Sequence, residues 1–135
     1  MPLARQALHQ SGEDIHLALW PMVKDLHQMA SRHYAFEARS FVLAAGSILG
    51  VDALPEGLTL AEPAAEDGLL LRGGSAIYGP DGECLAGPVR DEETLLVAEL
   101  DYRSIDRAAL TLDVSGHYSR PDVFEFGVRP SPPRR

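Results

Sequence analysis

Residues 24–46 read KDLHQMASRHYAFEARSFVLAAG, a helical pattern that runs straight into a short apolar run. At helical spacing, Met22, Leu26, Met29, His33 and Phe36 fall on one face. Ser31, Ala35 and Ala38, all small, fall on the other. The bulky side is expected to pack on a sheet, and the small side to let a second helix approach closely. Phe41 to Ala45 shows no polar alternation, so it reads as a strand covered on both faces. The rest of the chain is expected to be organised around this helix–strand unit.

Working outward, Pro2 to Ser11 reads as a helix with Leu3, Ala4, Ala7 and Leu8 on one stripe. Pro2 suits a first turn, and Gly12 stands where a helix stops. Nothing in the sequence is available to cap its start. Asp14 to Trp20 is nearly continuous apolar and predicts a strand buried on both faces, which Pro21 ends before the central helix, Asp25–Arg39. Helix, strand, helix, strand is the rhythm of an α/β sheet with some parallel pairing. From Val51 to Arg72 the pattern fades into a loop punctuated by Pro55, Gly57, Pro63 and Gly68. Ser75–Tyr78 and Cys84–Ala86 predict the arms of a hairpin around a Gly79-Pro80-Asp81-Gly82 turn. Thr94 to Leu100 predicts a further strand, and Asp101 a cap for a helix from Tyr102 to Leu112. Residues 127–135, GVRPSPPRR, read as a disordered Pro/Arg tail.

A chain of 135 residues allows one domain at most. Its net charge of −8 argues against a nucleic-acid or anionic-membrane partner, both of which require a basic stripe. One cysteine excludes an internal disulfide and fits a reducing compartment. There is no signal-like N-terminal layout, and the longest apolar run is too short to span a bilayer. A soluble cytoplasmic protein is expected.

Four stretches carry a family resemblance. MPLARQAL at the start, ASRHYAFEARSFVLAAG, GGSAIYGPDGECLAGP and SGHYSRPDVF resemble, in that order, blocks of the nitrilases, a branch of the carbon–nitrogen hydrolase superfamily. The likeness covers nearly the whole chain and is weakest over residues 52–71. It implies an α/β fold, with residues 1–126 as the C-terminal part of an αββα sandwich. It also implies covalent catalysis by a cysteine, a glutamate and a lysine, turning a nitrile into a carboxylic acid and ammonia through a thioimidate. In the family the MPLAR block lies a few residues after the nucleophilic cysteine, with the glutamate and lysine further upstream. The chain is therefore expected to lack the catalytic set and to be inactive alone.

Lys24, Cys84 and a carboxylate could be combined on paper into a triad, but their order along the chain is not the family's. Cys84 reads as a small side chain in a hairpin arm, and Lys24 as a solvated surface lysine. Trp20 and Pro21 are the candidate substrate-binding residues. They end a strand, where ligand sites of α/β folds gather, and the matching family position is near the substrate pocket; an ordinary buried Trp is the alternative. His33 and Glu37, four apart, predict an ion pair on the helix flank. His9, His16, His27 and His33 have no metal-ligand spacing, so neither metal nor cofactor is expected. His117, Arg120 and Asp122 form a polar set in an extended tail, suited to docking across a subunit contact. Gly73-Gly74 has no following helix and is not a phosphate loop.

The resemblance implies a small-molecule nitrile as substrate and a homo-oligomer formed through the Asp25–Arg39 helix. Aromatic, arylacetyl and aliphatic nitriles all remain open. An amidase of the superfamily is disfavoured by SRHYAFE and GHYSRPDVF. Two other expectations stand beside a nitrilase fragment. One is a truncated, non-catalytic interaction subunit that associates with full-length nitrilase. The other is that Met1 is an internal methionine of a normal enzyme.

Overall fold

The helix–strand rhythm is present in the computed structural model, which describes residues 1–129. In chain order the elements are α1 (Pro2–His9), β1 (Ile15–Trp20), α2 (Asp25–Ala38), β2 (Phe41–Gly46) and β3 (Ile48–Gly50). A single 3-10 turn follows at Val51–Ala53, then β4 (Leu69–Tyr78), β5 (Cys84–Arg90) and α3 (Arg103–Ala109). The fold is mixed α/β. β1 and β2 pair in parallel, from Ile15 opposite Phe41 to Trp20 opposite Gly46. β2 and β3, separated only by Ser47, both run antiparallel to β4, and β5 closes the other side of β4.

The α2 helix covers one sheet face, in the opposite sense to that expected. Ala35 is fully buried and Ser31 nearly so, whereas Leu26 and Met29 are 75% and 64% exposed. The core unites Tyr34 and Ala35 of α2 with Ala18, Val42, Ala44, Ala76 and Tyr78 of the strands. Small residues on both sides let the helix axis sit close to the sheet, and the two tyrosines fill the flanks. That space admits no second layer of Leu and Met, so the bulky stripe faces outward. It is the small face that the sheet occupies, and no other helix can dock there.

The opposite sheet face is covered at one end only. Phe41 is buried and meets Tyr102 edge to face, with ring centres 6.0 Å apart. Leu17 and Leu19 of β1 are 64% and 78% exposed, and Ala45 of β2 is also exposed. Burial of β1 on both faces was expected and is not found. β1 is an edge strand, and no described element lies over its outer residues.

Further corrections follow from backbone pairing. The irregular stretch is shorter than Val51 to Arg72, because β3 precedes it and β4 begins at Leu69. Gly73 and Gly74, both at positive φ, bend β4 within its length. Residues 94–100 form no strand. They are extended, with Leu96, Ala98 and Leu100 half-buried and Leu95, Val97 and Glu99 exposed, but no described residue pairs with their backbone. Alternation alone does not make a strand; a ladder partner is also required. The central helix begins at Asp25, after an irregular Pro21–Lys24.

The starts of α1 and α3 follow the sequence in part, the N-cap of α3 being Tyr102 rather than Asp101. Pro2 occupies the first turn of α1. Asp101 Oδ1 accepts the N–H of Arg103 at 3.1 Å, although α3 is shorter than Tyr102–Leu112. Of the C-terminal tail, residues 127–129 have no regular structure, and residues 130–135 lie outside the described residues.

Candidate functional site

The parallel pair β1–β2 ends at Trp20 and Gly46, which are register partners. Beyond their carboxyl ends Leu19, Trp20, Pro21, Ala45, Gly46 and Ser47 line a cleft of about 410 Å³. This is where an open α/β sheet leaves room for a ligand, since the connections diverge there. The structure thus brings the two sequence-predicted residues, Trp20 and Pro21, into one concavity with the end of β2. Ala45, Gly46 and Ser47 were not singled out from the sequence. The signal for them was positional: they end the strand that pairs in parallel with β1.

Trp20 is half-buried, and its indole Nε1 donates to Ser31 Oγ at 3.2 Å. The His27 ring stands edge-on to the indole at 4.9 Å. His27 Nδ1 in turn accepts the backbone N–H of Lys24 at 3.2 Å, which fixes the ring at the start of α2. Gly46 is held from the other side, where its N–H donates to Ser75 Oγ at 3.0 Å. A second cleft, of about 210 Å³, lies across Gly46, with Ser75, Glu92 and Glu93 in its wall.

Lys24 and Cys84 are far from each other. Arg90 at the end of β5 donates to Val23 O at 2.8 Å and reaches Asp25, so that end of the strand adjoins Lys24. Cys84 begins the same strand, six residues or about 20 Å away at 3.3 Å per residue. Its thiol is exposed and donates to the carbonyls of Ala86 and Gly87, at 3.4 and 3.3 Å. Among the described residues no general base is hydrogen-bonded to it, as an activated nucleophile would require.

The helix α1 is fastened to α2 by a polar cluster. Glu37 Oε2 lies 3.3 Å from Arg5 Nε and 4.0 Å from His33 Nδ1, so the expected His33–Glu37 pair is shared with an arginine. The Arg5 and Glu37 atoms are buried without the alignment of a hydrogen bond. Tyr34 stacks on His16 at 4.0 Å, meets His9 edge-on at 4.9 Å and donates its hydroxyl to Glu13. Burial, with the Glu13 carboxylate, pushes the Tyr34 phenol above its usual range. Burial also lowers the pKa of His9, outweighing Glu37 and Glu13. Among the described residues no group of three His, Cys, Asp or Glu is placed to hold a metal ion. In the tail, Arg120 makes a two-pronged contact with Asp122 at 2.8 and 2.7 Å, while His117 lies against Tyr118.

The carbon–nitrogen hydrolase family model matches residues 1–109. Among curated relatives, "Nitrilase 2" from an unknown prokaryotic organism is 43% identical over 95% of this chain and 40% of its own length. An aliphatic nitrilase of Sinorhizobium fredii is 39% identical over 98% of this chain and 43% of its own length. An arylacetonitrilase of Trametes versicolor is 38% identical over 98% and 42%. The chain thus spans about two-fifths of the length of the relatives it matches. A solved carbon–nitrogen hydrolase from Helicobacter pylori superposes with a TM-score of 0.68 at 20% identity, over 92% of this chain and 44% of that one, a likeness of fold. No helix among the described residues is long and apolar enough to cross a membrane. With a family match over residues 1–109 and nitrilases as its relatives, the chain belongs to the carbon–nitrogen hydrolase family.

Proposed function

We propose that this chain serves as part of a nitrilase, a hydrolase that converts a nitrile and two waters into a carboxylic acid and ammonia. The observation that supports it is the cleft at the carboxyl ends of β1 and β2, where Trp20 and Pro21 face Gly46 and Ser47. None of the residues lining it carries a charge, which suits the apolar body of a nitrile. The nucleophile is not among these residues. Cys84 is the only cysteine, and it lies at the hairpin end of the sheet, where its thiol donates to backbone carbonyls. In this reading the thiolate, its glutamate base and its lysine come from upstream of the MPLAR block, and the open edge of β1 is where that segment joins. The chain alone is inactive. Its part is to supply the pocket wall and the α2 scaffold. The exposed, unbridged cysteine is consistent with the cytoplasm.

The test is reassembly. The chain is co-expressed with the remainder of a nitrilase relative, the region this chain does not match. Release of ammonia from benzonitrile or an aliphatic nitrile is expected from the pair and from neither partner alone. Silence of the pair, while the relative's own two parts reassemble into active enzyme, would count against it.

A second reading, a non-catalytic interaction subunit, is favoured by one observation. Leu26, Met29 and Phe36 of α2 form an exposed apolar stripe. Association with a second copy, or with a full-length nitrilase, through this face of the Asp25–Arg39 helix is compatible with either reading.

A further inference from the structure

Residues 94–100 cross the sheet face turned away from α2. At one end Thr94 lines a cleft with Gly46 and Ser75. At the other, two residues past Leu100, Tyr102 meets Phe41 edge to face. The segment thus runs in the opposite sense to β2, over the face that carries Leu43 and its register partner Ile77. Its side chains alternate as those of a strand do: Leu96, Ala98 and Leu100 are half-buried, while Leu95 and Val97 are 87% and 73% exposed. Yet no described residue bonds to its backbone on either edge. Of its residues only Glu99 is charged. An extended, apolar stretch with two open edges is half of a ladder. Its outward Leu95 and Val97 also lack the layer that would cover them, and Leu17 of β1, on the same sheet face, is exposed as well.

We propose that residues 94–100 are an acceptor strand: the first strand of a second sheet stacked on the first, paired edge to edge with a β-strand from the part of a nitrilase that this chain does not match. This rests on the nitrilase reading above and adds a place of joining distinct from the open edge of β1. The chain spans about two-fifths of its relatives' length, so the larger part is available to form that layer. A second copy fits less well. Pairing two such segments about a two-fold axis fills one edge of each and leaves the other edge, with Leu95 and Val97, open. The occupant therefore offers an extended backbone to the free N–H and C=O groups, and an apolar layer behind it that reaches Leu95 and Val97.

The full chain is co-expressed with the unmatched part of the aliphatic nitrilase relative, and amide hydrogen exchange is read on the chain alone and on the purified pair. In the chain alone residues 95–100 should exchange nearly as fast as an unfolded peptide. In the pair they should slow by about a hundredfold or more, as laddered strands do. Val97→Pro and Ala98→Pro each remove one N–H, and neighbouring N–H groups of a strand point to opposite edges. At least one of the two should weaken association about tenfold or more, at unchanged helix content of the chain alone by circular dichroism. Val97→Thr, which keeps the N–H and the branched side chain, should retain most of it. A pair that forms with residues 95–100 still exchanging freely, or that both proline variants join as tightly as the parent, overturns the acceptor strand and leaves the nitrilase reading standing. Protection in the chain alone that rises with its own concentration makes a second copy the occupant and overturns the inference too. No pair, while the relative's own two parts associate, overturns both. A protected pair that releases no ammonia from an aliphatic nitrile upholds the strand pairing and counts against the catalytic reading.

Discussion

Gly46 and Gly73 meet at the seam of the sheet: a Cβ on Gly46 would overlap the Gly73 carbonyl and lie 2.7 Å from Val23 Cγ2. The chain can approach so closely there only because β2 ends on a residue without a side chain. Gly46→Ala should destabilise the fold by about 1–3 kcal/mol, the cost of overpacking a site with no room to yield. Gly127→Ala, where the added carbon meets nothing within 4 Å, should be neutral. Urea unfolding of the two variants against the parent checks both.

The inverted face of α2 makes a paired prediction. Ala35 is fully buried among sheet residues, so Ala35→Leu should cost roughly 1–3 kcal/mol in chemical denaturation. Leu26→Ala, on the exposed stripe, should stay within about 0.5 kcal/mol. If the stripe is also a subunit contact, Phe36→Glu should lower the sedimentation coefficient at unchanged helix content, whereas Ala35→Glu should unfold the protein. A stable, soluble Ala35→Glu would contradict the placement of the small face on the sheet.

Arg39 supplies a test of backbone and side chain together. It is buried in the left-handed region at φ 54°, where its Nε donates to Leu112 O at 2.9 Å and a terminal nitrogen donates to Pro80 O at 3.1 Å. Its guanidinium also lies over the Phe36 ring at 4.2 Å. Burial lowers its pKa from the usual arginine value. Arg39→Ala should lose about 2–4 kcal/mol, since it leaves two carbonyls without donors in a conformation alanine disfavours. Arg39→Gly should be less damaging by up to about 1 kcal/mol, because glycine accepts that φ freely. Equilibrium unfolding that ranked the two variants the other way would contradict the assignment.

Stability should fall on both sides of neutrality, for separate reasons. The folded state disfavours protonated His9, so its folded pKa is below the ordinary 6.5 and the unfolded chain holds the proton more tightly. Its contribution is complete above about pH 6.5 and drains away as the pH falls through the folded value. The titratable and charged groups facing it are Glu37, Glu13, Arg5 and His16. His9→Gln should flatten the melting temperature between pH 6.5 and 5. Tyr34 has the opposite sign: its phenol titrates higher in the fold, so stability is held below pH 10 and lost as the pH rises beyond it. Tyr34→Phe should remove that alkaline loss.

Much of this was legible in the sequence. The β1–α2–β2 unit announced itself through continuous apolar runs and a helical stripe, and Trp20-Pro21 through its place at the end of a strand. Which face of α2 is buried was not legible. Periodicity separates two faces but does not say which one a sheet of small residues, Ala18, Ala44 and Ala76, will accept. The extent of β4 was hidden by Gly73-Gly74, which reads as a break and acts as a bend. Thr94 to Leu100 has the apolar run of a strand, but pairing is a property of a partner that local sequence does not encode. Ala45 to Ser47 entered the cleft only through register with β1.

Ammonia release by the purified chain from a panel of aromatic, arylacetyl and aliphatic nitriles, run beside Cys84→Ala, bears most directly on where the chemistry resides. No turnover above background is expected from either protein, because the Cys84 thiol is engaged by backbone carbonyls and Lys24 lies at the far end of β5. Turnover by the parent that disappears in Cys84→Ala would show that these residues carry a nucleophile after all, and would contradict the assignment of the chain as a pocket-bearing part without one.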